Sequence, residues 1–430
     1  MFFLILISFS LPVCAQTLVL SLDDAVKRAI EYNLNLQKQQ IDISSSAESE
    51  KYIWGEIFPA ISAGVSLGYG NPLFSGEGFS FNKDGIEYRT SFSISLGFNA
   101  GVPYAMKSIR LAHQGNILKY EDAVNQLSIQ ITKSFFALVA EKNNLLLLEE
   151  IFNLAQRQYS RSEISFRNGL VGEIPLMQSR LALENARYNL SAARTAHANN
   201  LSEFSAMLGM PADSGMSLSG ETNIVKIDAD AESLIKEHLT SRPDIVRSKQ
   251  EIERLKIART QSVLQNRAPQ LNLSLDWRST DFDPFTDRLS GTASVNIPID
   301  PWIPGTVKSQ GISKAKDALE KARIDLSITE EAAKTQIRSL SSLLRGSWDS
   351  ILIARLSLET ARRSYQLTEQ GFQNGTVEAL ALEDVRNNMA NARYRLLQTE
   401  LSYFNMILDL SAALNINWKN FIENFGVTGE

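Results

Sequence analysis

Apolar and polar residues alternate with two different periods along this chain, and the switches between them mark its elements. From Leu22 to Trp54 apolar positions recur at helical spacing, opened by Ser21 with Asp23 and Asp24 in the first turn, which predicts a helix. Two period-two stretches follow. Ile61, Ala63, Val65, Leu67 and Tyr69 alternate with Ser62, Gly64, Ser66, Gly68 and Gly70; Phe92, Ile94, Leu96 and Phe98 alternate with Ser91, Ser93, Ser95, Gly97 and Asn99. Helical spacing then returns from about Met106 to Arg167. A helix of roughly 60 residues spans about 90 Å at 1.5 Å per residue, a length that points to coiled-coil packing.

The second half repeats this order. Leu271, Leu273, Leu275 and Trp277 alternate with Asn272, Ser274, Asp276 and Arg278. Leu289, Ala293, Val295, Ile297 and Ile299 alternate with Ser290, Thr292, Ser294 and Asn296, and a long helical stretch follows from Val307 to Gln373. Laid without gaps over Tyr365–Leu396, the segment Tyr159–Leu190 matches at about 13 of 32 positions, among them Phe166/Phe372, Arg180/Arg386 and the shared Asn-Ala-Arg-Tyr ending at Tyr188 and Tyr394. Phe58-Pro59-Ala60-Ile61 aligns with Ala268-Pro269-Gln270-Leu271. The chain therefore reads as a tandem duplication, residues 16–215 and 216–430, behind a leader of residues 1–15. Each copy runs helix, strand pair (about 59–102 and 269–299), very long helix, tip turn (168–172 and 374–377), helix.

Period-two alternation puts one apolar and one polar face on each strand. A sheet lying on a core would show the same pattern. Three features favour lipid instead: strands of about 10 residues, the length that crosses a bilayer when tilted; aromatics Tyr69, Tyr88, Phe98 and Trp277 at or near strand ends; and an opposite face of small polar groups suited to a water-filled lumen. Four strands cannot close on themselves, and an open edge has no water to bond in hydrocarbon. The barrel must be shared with other copies. Two copies give eight strands and a lumen filled by side chains, whereas three give twelve and room for a pore.

Charge and composition narrow the class. A formal net charge of −5 offers no basis for binding nucleic acid. His113, His197 and His238 lie on separate helical segments without metal-ligand spacing, and Ser75-Gly76-Glu77-Gly78 sits between two strands as a hairpin loop, not before a helix as a phosphate cradle. With no nucleophile motif or P-loop, the chain is expected to be no enzyme and to need no cofactor. Met1 to Val13 is nearly continuous apolar sequence, the core of a secretory signal too short to span a bilayer; its missing positive region is consistent with a start upstream. Val13-Cys14-Ala15 fits cleavage before Gln16. Leu11-Pro12-Val13-Cys14 loosely resembles a lipobox, which would make Cys14 a lipidated N-terminus; Pro12 and Val13 favour the first reading.

Together these features resemble the outer membrane efflux protein family, the TolC type, over Leu20 to about Leu414. The residues that carry the likeness are Leu20-Ser-Leu-Asp-Asp-Ala-Val-Lys-Arg-Ala-Ile30 with Asn33-Leu-Asn-Leu-Gln37, and in the second copy Arg242-Pro-Asp-Ile245 leading through Ala258 to Pro269. The resemblance implies a mainly helical fold with a membrane β-barrel. Four strands per subunit would share a twelve-stranded barrel in a homotrimer, and the long helices would form a periplasmic α-barrel. A mixed belt around its middle would draw on segments near Pro211–Glu232 and after Leu414. The implied function is an outer-membrane exit duct of a tripartite efflux or type I secretion system. Its partners would be outer-membrane lipid, a periplasmic adaptor (membrane fusion protein) and an inner-membrane pump of RND, ABC or MFS type.

The tips, Asn168-Gly169-Leu170-Val171 and Asn374-Gly375-Thr376-Val377, end helices as Asn-Gly pairs routinely do. The resemblance adds that they meet the adaptor. The family's entrance carries aspartates six and nine residues after the second tip glycine. Here those positions are Ala381 and Asp384, with Pro175 and Gln178 in the first copy, so Asp384 alone is left for an acidic pore entrance. Val377 and Phe372 stand where Arg and Tyr hold the closed state in the family. Two rival readings remain: a periplasmic adaptor-like coiled-coil protein, which would normally have one hairpin and soluble β-domains, and a barrel that conducts nothing.

Overall fold

The computed structural model describes residues 18–69, 74–75, 78–79, 86–211, 216–220, 224–280, 288–374 and 376–427. The expected leader with Cys14, the expected repeat boundary near Gly215, part of the Ser75–Gly78 segment, and Gly375 lie outside these residues.

After β1 (Leu18–Leu20), Ser21 caps α1 (Leu22–Tyr32): its Oγ accepts from the Asp24 N–H at 3.3 Å, and Asp23 and Asp24 oppose the helix dipole. The single helix expected to Trp54 is in fact two helices. Asn33 leaves helical geometry (φ −69°, ψ 119°), and its side-chain oxygen accepts from the N–H groups of Asn35 (3.0 Å) and Leu36 (3.2 Å). One asparagine thus ends α1 and caps α2 (Leu34–Lys51), while Trp54 falls in a 3-10 turn, Ile53–Ile57. β2 (Ala60–Tyr69), the two-residue pair β3 (Phe74–Ser75) and β4 (Gly78–Phe79), and β5 (Ile86–Asn99) follow.

The first long helix, α3 (Val102–Arg167), starts four residues before the expected Met106, because Pro103 is tolerated in a first turn where its missing N–H has no partner to lose. Next come α4 (Glu173–Met207), β6 (Met216–Leu218), β7 (Lys226–Ile227), α5 (Ala231–His238) and α6 (Pro243–Arg267). β8 (Gln270–Thr280) and β9 (Arg288–Asn296) lead to α7 (Val307–Gln373), α8 (Ala379–Leu414), α9 (Trp418–Phe425) and β10 (Gly426–Val427). β9 stops before Ile297 and Ile299, which were expected within it: Pro298 has no N–H for the ladder, and Asp300–Trp302 turns as a 3-10 helix.

The chain divides into two compact units, and each draws on both halves of the sequence. Among the described residues, the first comprises those within 18–38, 120–242 and 331–427. Ile131, Phe135, Phe136 and Leu138 of α3 pack there with Phe204 of α4, Leu208 at its C-cap, Phe404 and Leu408 of α8, and Leu20, Ala25 and Ala29. Phe136 and Phe404 meet edge to face at 4.7 Å, with Trp418 5.5 Å from Phe404. In a second core, Ile337, Leu344 and Ile351 of α7, seven residues apart, pack with Tyr403, Ile407, Leu410 and Leu414 of α8. That spacing is the coiled-coil period.

The same unit holds the small mixed belt. β1 runs parallel to β6, with Leu18 opposite Met216 and Leu20 opposite Leu218, and β7 pairs antiparallel with β10. The Tyr403 hydroxyl accepts from the Ile227 N–H (2.9 Å) and donates to the Val225 carbonyl (3.1 Å), fixing β7 to α8. β6, β7 and β10 fall in the segments expected to supply a belt, and β1 is an addition.

The second unit, residues 39–119 and 243–330, contains the main sheet and the helices that enter and leave it. Ile252 of α6 packs there with Leu319 and Ala322 of α7. Ser46 of α2 meets His113 Nδ1 of α3 at 3.0 Å.

Candidate functional site

Four antiparallel strands form the main sheet in the order β2-β5-β8-β9, and the register sorts their side chains cleanly. One face carries the rows Ala63–Phe92–Trp277–Leu289, Ile61–Ile94–Leu275–Gly291 and Phe98–Leu271–Val295. The other carries Ser62–Ser93–Asp276–Ser290 and Ser95–Ser274–Thr292, with Ser62 and Ser93 bonded at 2.7 Å. The apolar face is not covered: Val65 is 76% exposed and Leu289 70%. An exposed apolar surface of this extent costs about 25 cal/mol per Å² in water, so it calls for an apolar solvent. Aromatics lie at both ends of the face, Tyr69 and Tyr88 at one and Phe98 at the other.

β2 and β9 are the outer strands, each paired on one side only among the described residues. Their outward N–H and C=O groups must find strands elsewhere once the face lies in hydrocarbon.

At the first tip, Gly169 takes φ +70°, Leu170 N–H donates to Ser165 O (2.8 Å) and Gly169 N–H to Phe166 O (2.9 Å). These two bonds define a Schellman stop, which explains the glycine on backbone grounds. Asn168, Leu170, Asn374 and Thr376 are exposed, while Val171 and Val377 are half-buried. At the second tip Thr376 N–H donates to Gly371 O (2.9 Å), the same spacing as Leu170 to Ser165. Gly371, which sequence reasoning passed over, is needed here: a Cβ on it would lie 2.7 Å from Val377 Cγ2.

Asp384 is exposed on the first turns of α8. Its neighbours were not singled out in the sequence and carry more structure. Arg386 is buried and donates to Gln158 Oε1 of α3 at 3.3 Å, leaving its Nε without a partner. Glu383 is half-buried, and desolvation pushes its carboxyl above the usual range, with Arg386 opposing and Asp384 adding to the rise. Burial also raises the Tyr365 phenol, which donates to Glu369 at 3.2 Å. The repeated Arg180/Arg386 identity was the available signal for Arg386. The histidines each face a carboxylate: His113 with Glu50 (4.0 Å), His197 with Glu141 (3.2 Å) and His238 with Glu237 (3.8 Å).

Residues 234–415 match the family model described as outer membrane efflux protein. Over that stretch the chain is similar to that family. Toluene efflux pump outer membrane protein TtgC of Pseudomonas putida is 23% identical over 415 residues, covering 93% of this chain and 83% of the relative. The Campylobacter jejuni CmeC outer membrane channel superposes with a TM-score of 0.77 at 18% identity, over 94% of this chain and 88% of that one. The outer membrane protein VceC of Vibrio cholerae does so with 0.73 at 13%, over 92% and 96%. All three of these relatives are outer membrane proteins by description. Among the described residues, no helix is long and apolar enough to cross a membrane. The exposed apolar face of the main sheet is the surface that suits lipid.

Proposed function

We propose that this chain is the passive outer-membrane exit duct of a tripartite efflux or type I secretion system. The observation that carries the reading is the sheet: four strands, one exposed apolar face in unbroken register, a polar opposite face and two open edges. Three copies would close a twelve-stranded barrel around the polar face, wide enough for a pore. The polar side chains of Ser62, Ser93, Ser95, Ser274, Thr292 and Asn296 would then line water.

In this reading the chain is a tandem duplication, and the tips, Asn168–Val171 and Asn374–Val377, receive the periplasmic adaptor. Asp384 contributes an acidic ring at the entrance. The inner-membrane pump, of RND, ABC or MFS type, supplies the energy, so the duct performs no chemistry. The adaptor-like alternative has no use for a lipid-length sheet with unpaired edges.

Epistasis tests the assignment. Deleting this chain should raise intracellular accumulation of an efflux dye as much as deleting its pump, and deleting both should add nothing further. Normal dye export without the chain would remove the duct reading.

A further inference from the structure

Charge is spread unevenly over the polar face of the main sheet. The register places Gly64, Ser91, Arg278 and Arg288 in one row, so two arginines stand directly opposite each other on β8 and β9. Facing Cβ atoms on neighbouring strands lie about 4.5–5.5 Å apart, and like charges at that distance repel. Both arginines are exposed, and among the described residues no acid pairs with either side chain. The row toward the helices holds Ser62, Ser93, Asp276 and Ser290. Asp276 there is half-buried and accepts from Ser274 at 3.0 Å, a residue one row further from the arginines. The row on the other side holds Ser66, Arg89 and Thr280, with Glu87 opposite Gly68 beyond it; Arg89 is already partnered.

A lone arginine on a strand is usually just solvated, and one on an outer strand such as β9 also discourages stray pairing. Neither reason accounts for Arg278, which lies on an inner strand directly against a second arginine. A guanidinium is a planar fork of donors with no acceptor, so two facing forks can satisfy an oxyanion and relieve their own repulsion. Exposed hydroxyls flank them, Ser91 in the same row and Ser290 in the next. The approach is from the polar side alone. Trp277 and Leu289, the chain neighbours of the pair, hold the apolar face, so a lipid phosphate arriving there meets them instead. The pair also lies near the end of the sheet where β8 runs toward β9, away from the Gln270–Asn296 end that adjoins the helices. In the duct reading that is the outer mouth. The connecting residues 281–287 include Asp281, Asp283 and Asp287, which would compete with a bound anion.

We propose that Arg278 and Arg288 form an oxyanion-binding station inside the outer mouth of the duct, taking the carboxylate, sulfonate or phosphate group of small anionic cargo on its way out. This rests on the duct reading above, in which the polar face lines water, and adds a class of cargo. Binding is reversible and electrostatic: the pair raises the local concentration of anions and opposes entry of cations, and salt weakens it.

Planar-bilayer recording of the purified protein tests it, with citrate in both chambers compared with chloride at equal ionic strength. Citrate should reduce the current of the parent channel, and Arg278→Ser/Arg288→Ser should need several-fold more citrate for half block. Arg278→Lys/Arg288→Lys should fall between the two, keeping the charges and losing the forks. Should the serine variant assemble badly, melting of the detergent-purified parent supplies a reading without current: citrate should stabilise it, and the lysine variant less. A parent channel that ignores citrate, or a block that survives the serine substitutions, overturns the station and leaves the duct standing. So does a block that appears only in Asp281→Asn/Asp283→Asn/Asp287→Asn, because those acids would then occupy the pair. A parent that neither inserts nor conducts removes the duct reading and the station with it.

Discussion

Gly169 shows how much one residue can decide at a tip. Its backbone lies in the left-handed region, and an added Cβ would meet nothing within 4 Å, so substitution is penalised by conformation alone. Valine there should cost about 1–2 kcal/mol, and asparagine less, because its side chain tolerates the left-handed region. Gly169→Asn is expected to export normally and Gly169→Val to export poorly while still assembling. Equal export by the two would show that the tip shape is unimportant. Glu383 gives a prediction with a definite sign. Its carboxyl is raised by burial, so the folded chain holds a proton that the unfolded chain releases, and stability falls as pH rises through the window above the usual carboxylate value. Glu383→Gln should therefore raise the melting temperature at neutral pH, with the gain vanishing below about pH 4, near the unfolded carboxylate's pKa. A gain independent of pH would assign the effect to packing instead.

Among the elements, strands and helices differed in how far the pattern alone could place them. Period-two alternation located β2, β5, β8 and β9 within a few residues, because a lipid-facing strand shows its pleat directly in the side chains. The same pattern could not foresee the break at Asn33, where a capping side chain overrides continuous helical spacing, nor the loss of Ile297 and Ile299 to Pro298. Arg386 was visible as a repeated residue, but its bond to Gln158 spans 228 positions, a distance no local pattern encodes. The sheet and the belt each offer a test. Leu273→Arg on the apolar face should cost about 2–4 kcal/mol near a bilayer midplane and block membrane assembly, whereas Ser274→Arg on the polar face should assemble, as heat-modified gel mobility would show. Tyr403→Phe removes the partner of a buried N–H and a carbonyl, a loss of about 1–3 kcal/mol. Hydrogen exchange at Ile227 should speed up while the main sheet is unchanged; unaltered protection would mean that β7 is held by other contacts.

For the whole molecule, the open sheet is the feature that demands a larger assembly. A sheet of four strands with two open edges has no closed state of its own in hydrocarbon, so its outer strands call for partners from elsewhere. Most of that architecture was legible from amphipathic periods and internal likeness. The residues of the entrance were not, since Asp384 is an exposed helix carboxylate of an ordinary kind. The central claim is that several copies enclose a conducting pore, and the direct measurement is conductance of the purified protein in a planar bilayer, with its subunit count taken from native mass spectrometry of the same sample. The account predicts a trimer that inserts and conducts, with small steps while the tips are closed. A monomer that neither inserts nor conducts would contradict it.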